Sequence, residues 1–141
     1  MFGFGKQRDS SKKLVVHIDD EADIRLMIEA ALAPLGVEVL GAPDGNAGLA
    51  LAKKEKPDLI LLDILMPGLD GYETCLHLRK VPGLKGTPIL MLTALSQMKN
   101  VEKAMAQGAD GYILKPFDMP QLRQKVAEAL KIPLPPAKPA A

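Results

Sequence analysis

Short apolar runs, each closed by a polar side chain, recur along this chain and restrict what it can fold into. Leu14 to Ile18 is followed by Asp19 and Asp20, Leu59 to Leu62 by Asp63, Ile89 to Leu92 by Thr93, and Tyr112 to Leu114 by Lys115 and Pro116. If each run is a strand of one parallel sheet, the polar groups converge on a single edge. Ligands of open α/β sheets bind at that edge, outside the carboxyl ends of the strands. Three carboxylates there suit a hard cation, which prefers oxygen ligands, and an ammonium suits an anion such as a phosphoryl group. The pattern therefore describes a chemical site as well as a fold.

Between the runs, apolar residues return at helical spacing: Ile24, Met27, Ile28 and Ala31; Met98, Val101 and Met105; Leu122, Val126 and Leu130. Strands are expected near residues 14–18, 37–40, 59–62, 89–92 and 111–114. Alternating strands and helices predict a parallel sheet covered by helices on both faces. Helix starts are marked by Asp70 with Glu73, by Ser96, and by Asp118 with Gln121, because short polar side chains cap the first free amides. Gly36 and Gly108 fit helix stops. Pro34 should disturb the end of the first helix, since it has no backbone donor. The segment after residue 44, through Ala47, Ala50 and Leu51, is rich in small residues and is the least marked of the expected helices.

At 141 residues, 48% of them hydrophobic, the chain is long enough and apolar enough for one domain with a sizeable core. A formal net charge of +1 gives no overall attraction to nucleic acid, so no direct nucleic-acid binding is expected. The single cysteine, Cys75, excludes an intramolecular disulfide framework. No apolar stretch approaches membrane-spanning length, and the N-terminus lacks the apolar centre of a secretory signal. A cytoplasmic location without membrane attachment is the expectation. Residues 1–12 read as an N-terminal arm, residues 13–131 as the domain, and residues 132–141, with Pro133, Pro135, Pro136 and Pro139, as a Pro-rich tail or the start of a linker.

Four segments, in this order, carry a family resemblance: His17 to Glu21, Leu62 to Gly71, Leu92 to Ala94, and Gly108 to Phe117. Together they resemble the CheY-like receiver domain of two-component response regulators over about residues 13–131. The resemblance implies a flavodoxin-like five-stranded parallel sheet in the order 2-1-3-4-5, with five helices on both faces. It implies that Asp63 is the phosphoacceptor, taking a phosphoryl group from a sensor histidine kinase or a phosphotransfer protein. It further implies that Mg2+ is held directly by Asp20, Asp63 and the backbone carbonyl of Leu65, with Asp19 contributing through water. Thr93 and Lys115 would bind the phosphoryl group, Pro116 would follow a cis peptide bond, and Tyr112 would be an aromatic switch. The resemblance further implies that Leu65 and Leu95 occupy the positions flanking the path of a hydrolytic water; neither can hydrogen bond through its side chain, which leads to an expectation of slow dephosphorylation.

Taken singly, these residues have plainer readings. Asp19 and Asp20 could cap the first helix, Asp63 could serve a turn, Thr93 could end a strand, Lys115 could be solvated and Tyr112 could be a core aromatic. Their joint placement decides against that. His17, His77 and Cys75 read as structural, because His17 lies inside an apolar run and neither histidine has a partner at metal-ligand spacing. A nucleotide-binding domain would need a glycine-rich first turn, where this chain has Asp19, Asp20, Glu21 and Asp23. An aspartyl-nucleophile phosphatase of the haloacid-dehalogenase type would carry its nucleophile after the first strand, in an Asp-x-Asp motif. A receiver that signals only as an interaction module is disfavoured by the full complement of phosphorylation residues. The expectation is a single-domain receiver, with no turnover of an external substrate, signalling to a downstream protein target through its fourth helix, fifth strand and fifth helix. The alternatives are an aspartyl-nucleophile phosphatase, which turnover of a free phosphate ester would reveal, and a receiver fragment of a larger regulator. The sequence leaves open whether phosphorylation dimerises the domain.

Overall fold

A computed structural model describes residues 11–64, 70–94, 96 and 98–135. The elements run β1 (Leu14–Ile18), α1 (Ala22–Leu32), β2 (Glu38–Ala42), α2 (Gly45–Glu55), β3 (Leu59–Asp63), α3 (Gly71–Arg79), β4 (Ile89–Ala94), α4 (Met98–Ala106), β5 (Gly111–Lys115) and α5 (Met119–Leu130). All strand pairs are parallel, in the order β2-β1-β3-β4-β5. Every residue of β1 and β3 is buried, as expected for central strands covered on both sides.

Alternate residues of the central strands feed two cores, while β5 contributes Ile113 to one of them. Val16, Ile18, Ile60, Leu62 and Met91 pack with Ala52 of α2, Leu78 of α3 and Val101 of α4 on one face. Val15, Leu59, Leu61, Leu92 and Ile113 pack with Ile28 and Leu32 of α1 and Leu122 and Val126 of α5 on the other. Each fully buried Leu or Ile contributes roughly 1.5–3 kcal/mol relative to exposure.

Aspartates set three helix starts. The carboxylates of Asp44, Asp70 and Asp118 accept hydrogen bonds from the amides of Ala47, Glu73 and Gln121 at 2.7, 2.8 and 2.7 Å. At Asp118 the Gln121 side chain also accepts from the Asp118 amide, completing a capping box. Helix α1 stops at Leu32, and Pro34 sits in the single 3-10 turn that follows, which ends at Gly36 with φ +71°. The small residues of α2 have a packing reason: a Cβ on Gly48 would strike the side chain of Ile18 in β1.

Four strands run one or two residues further than the apolar pattern predicts, β3 to Asp63 and β5 to Lys115 among them. β2 continues through Gly41 and Ala42 because these pair with His17 and Ile18 of β1, and β4 continues through Thr93 and Ala94 against Leu114 and Lys115 of β5. Far from the carboxyl edge, Arg79 donates to the carbonyls of Gly108, Leu84 and Thr87 and to Asp110, at 2.6–2.9 Å. Asp110 in turn accepts from the amide of Ile89 at 2.8 Å. One guanidinium thus joins the end of α3, the start of β4 and the turn into β5. Among the described residues, no helix is long and apolar enough to cross a membrane.

Candidate functional site

The carboxyl ends of β1, β3, β4 and β5 bring the polar residues together. Asp19 directly follows β1, where its amide extends the ladder to the Ala42 carbonyl at 3.0 Å. Its Oδ1 accepts from the Glu21 amide at 2.9 Å, two residues on and ahead of the helix, so Asp19 closes a turn rather than capping α1. Arg25 of α1 donates from Nη1 to the Asp19 carbonyl at 2.7 Å. Asp63 is the last residue of β3 and is buried. The start of α3 lies against it: the Gly71 amide donates to the Ile64 carbonyl at 3.0 Å, and a Cβ on Gly71 would strike the Asp63 carbonyl and come within 2.6 Å of Ile64 Cα. Only glycine lets the helix begin so close beneath the carboxylate.

One carboxylate oxygen from each of Asp19, Asp20 and Asp63 lies within 4.8 Å of the others. Asp19 is fully buried, Asp63 nearly so, and Asp20 is exposed, so the cluster opens to solvent on one side. Lys115 Nζ stands 3.4 Å from Asp63 Oδ1. The peptide bond from Lys115 to Pro116 is cis. Thr93 is buried beside them, its hydroxyl 3.2 Å from the Ala94 carbonyl. Asp20, Asp63, Thr93, Ser96 and Lys115 line one cavity of about 350 Å³. Tyr112 pairs in register with Met91, two residues before Thr93, and is 38% exposed on the outer side of β5. Leu65, expected as a carbonyl ligand, and Leu95 lie outside the described residues.

Electrostatics within the cluster are uneven. Burial pushes the Asp19 carboxyl up, but the neighbouring His17, the Glu21 amide and the charge of Lys115 outweigh it and hold the group below the ordinary carboxylate range. Asp19 is therefore ionised at neutral pH while sharing a small volume with two further carboxylates. The donor set, all oxygen and open on one side, fits a hard divalent cation that keeps several waters. Asp19 Oδ2 supports that fit, being buried without a hydrogen-bond partner among the described residues.

Two contributors escaped sequence reasoning. His17, read as structural, has its Nε2 3.5 Å from Asp19 Oδ2. The signal was available in the strand period, since residues two apart share a face. Gly71 ends one of the segments that carry the resemblance, but its reason is steric and involves another element, which no local pattern reveals.

Residues 15–127 match the family of the response regulator receiver domain. Among curated proteins, "Probable transcriptional regulator ycf27" of Porphyridium aerugineum is 42% identical over 120 residues, 85% of this chain and 49% of that protein. "DNA-binding dual master transcriptional regulator RpaA" of Synechocystis is 38% identical over 117 residues, 83% of this chain and 49% of its own. The chain thus spans about half the length of the curated relatives it matches. Among solved structures, the chemotaxis response regulator CheY4 of Vibrio cholerae superposes with a TM-score of 0.79 at 35% identity, covering 84% of this chain and 98% of that one. The receiver domain of NtrX from Brucella abortus gives 0.77 at 29% identity, covering 83% and 98%.

Proposed function

Because the chain belongs to the response regulator receiver domain family of two-component signalling, we propose that Asp63 is its phosphoacceptor. The observation that carries this is the Lys115 ammonium 3.4 Å from Asp63 Oδ1, beside the Asp19 and Asp20 carboxylates at the open edge of the sheet. A carboxylate oxygen of Asp63 attacks the phosphorus of a phosphohistidine on a sensor kinase or phosphotransfer protein. The P–N bond breaks as the P–O bond forms, and the imidazole nitrogen leaves with the electron pair. Phosphoryl transfer of this kind depends on in-line placement and on neutralising charge at the equatorial oxygens.

This chain's residues divide that work. Lys115 meets one phosphoryl oxygen as a point charge. The Thr93 hydroxyl, now 3.2 Å from the Ala94 carbonyl, turns to donate to a second. Asp20 and Asp63, with Asp19 beside them, would hold Mg2+, which would offset the anionic charge shared by the carboxylates and the phosphoryl group. Movement of Thr93 frees space for the Tyr112 ring, one strand away on the same sheet face. That motion biases the surface where Met105, Tyr112, Leu114 and Met119 are exposed, and a protein target reads it. No turnover of an external substrate follows from this chemistry.

The test is labelling. A small acyl phosphate with Mg2+ is expected to phosphorylate the wild type at one site and to leave Asp63→Asn unlabelled. Equal labelling of the mutant refutes the assignment. A second reading is favoured by the relatives' length: the segment is the receiver of a longer transcriptional regulator. The full reading frame distinguishes this from a receiver acting alone.

A further inference from the structure

His17 is an anomaly within β1. It is fully buried, and neither of its ring nitrogens has a hydrogen-bond partner among the described residues. A buried imidazole left so keeps the full desolvation penalty of its polar atoms, with no hydrogen bond to offset it. The third buried side-chain atom without a partner is Asp19 Oδ2, 3.5 Å from His17 Nε2. These two orphans face each other, and a displacement of about half an ångström makes a hydrogen bond of ordinary length.

The surroundings hold the pair in place. His17 pairs in register with Gly41 and Leu61. Opposite it, the stem of Arg25 passes so close to Gly41 that a Cβ there would lie 3.1 Å from Arg25 Cδ. Arg25 thereby reaches the Asp19 carbonyl, while the Glu21 amide takes Asp19 Oδ1. Only Oδ2 is left for a side chain to orient.

We propose that His17 is a positioning residue for the cation site: its Nε2–H donates to Asp19 Oδ2 and fixes the carboxylate that meets the bound ion through water. This rests on the assignment of Asp19, Asp20 and Asp63 to Mg2+. Loss of a donor behind a direct ligand typically weakens metal binding by about tenfold or more; Asp19 meets the ion through water, so His17 acts one layer further out and its loss costs less. A valine at position 17 would satisfy the apolar strand but leave Oδ2 with no donor.

The experiment is an NMR titration of the intact chain with Mg2+, comparing wild type, His17→Val, His17→Gln, Asp20→Asn, Asp19→Asn and the double variant His17→Val with Asp19→Asn. His17→Val is expected to raise the Mg2+ Kd about threefold, less than loss of a partner to a direct ligand, and His17→Gln, which keeps a donor, to recover most of it. In the Asp19→Asn background the valine is expected to add nothing further. A long-range 1H–15N spectrum of the wild type, which requires no variant to fold, is expected to show the Nε2–H tautomer. Unchanged affinity in His17→Val, or the Nδ1–H tautomer in the wild type, overturns the proposal. Should Asp20→Asn bind Mg2+ as tightly as wild type, the site assignment itself falls, and this inference with it. Weakening in Asp20→Asn without weakening in His17→Val removes only the role of His17.

Discussion

Replacing Asp20 with asparagine should stabilise the metal-free protein, because the site stores electrostatic repulsion that a cation relieves. Two unit charges at the outer limit of 4.8 Å for these oxygens repel by about 0.9 kcal/mol in water and by roughly 3.5 kcal/mol at an effective dielectric constant near 20. Asp20 is exposed, so the lower figure applies to each of its two carboxylate neighbours. Lys115, 3.4 Å from Asp63, offsets part of that repulsion. A net gain of about 1 kcal/mol is expected, raising the Tm by about 3 °C in a domain of this size. The gain should shrink as ionic strength rises, since the Debye length is about 8 Å at 0.15 M salt. Magnesium should reverse the order: saturating the wild type at a hundred times its Kd adds about 2.7 kcal/mol, while the mutant, with one carboxylate fewer in the cluster, responds less. Thermal melts in EDTA and across a Mg2+ series should therefore cross. A mutant that melts below wild type without metal, or one that gains as much from Mg2+, refutes the repulsion argument.

Gly71→Ala should destabilise by about 1–3 kcal/mol in chemical denaturation, through overpacking against the Asp63 backbone; it should also slow acyl-phosphate labelling, and unchanged rates would separate α3 packing from the chemistry. Arg79→Ala should cost about 2–4 kcal/mol by removing the bonds to three carbonyls and Asp110, with hydrogen exchange rising first around residues 108–111. Thr93→Ala should accept phosphate yet raise partner affinity little, and a full response at equal phosphorylation would break the link to Tyr112. Burial pushes the Cys75 thiol from 9.0 up to about 11, with Arg79 opposing and Asp110 adding to the shift. Its folded pKa lies above the unfolded one, so its stability contribution is fully present below about pH 9 and lost as pH rises through about 11. Cys75→Ala should therefore lose less stability than wild type across that window, and parallel curves would contradict it.

Much of the architecture was legible because its causes are local. An apolar run buried on both faces and a helix with one apolar stripe leave their periods in the sequence, and caps such as Asp118 with Gln121 act within four residues. The order of polar groups at the run ends was enough to assemble Asp19, Asp20, Asp63, Thr93 and Lys115 before any coordinates. Contacts between elements were not legible in this way. The last residues of β2 and β4 are strand because β1 and β5 lie beside them; Gly41 has no preference for strand of its own. The tightness of Gly71 under Asp63 and of Gly48 against Ile18 arises from how close a helix approaches the sheet, a distance that no residue encodes alone. His17 shows the division most clearly: its place in an apolar run was read correctly from the sequence, while its pairing with Asp19 depends on Arg25 and the Glu21 amide occupying the other oxygens of that residue. Sequence determines which chemistry reaches the edge of the sheet; packing decides which buried atoms are left for one another, because hydrogen-bond partners are allotted only when the elements meet.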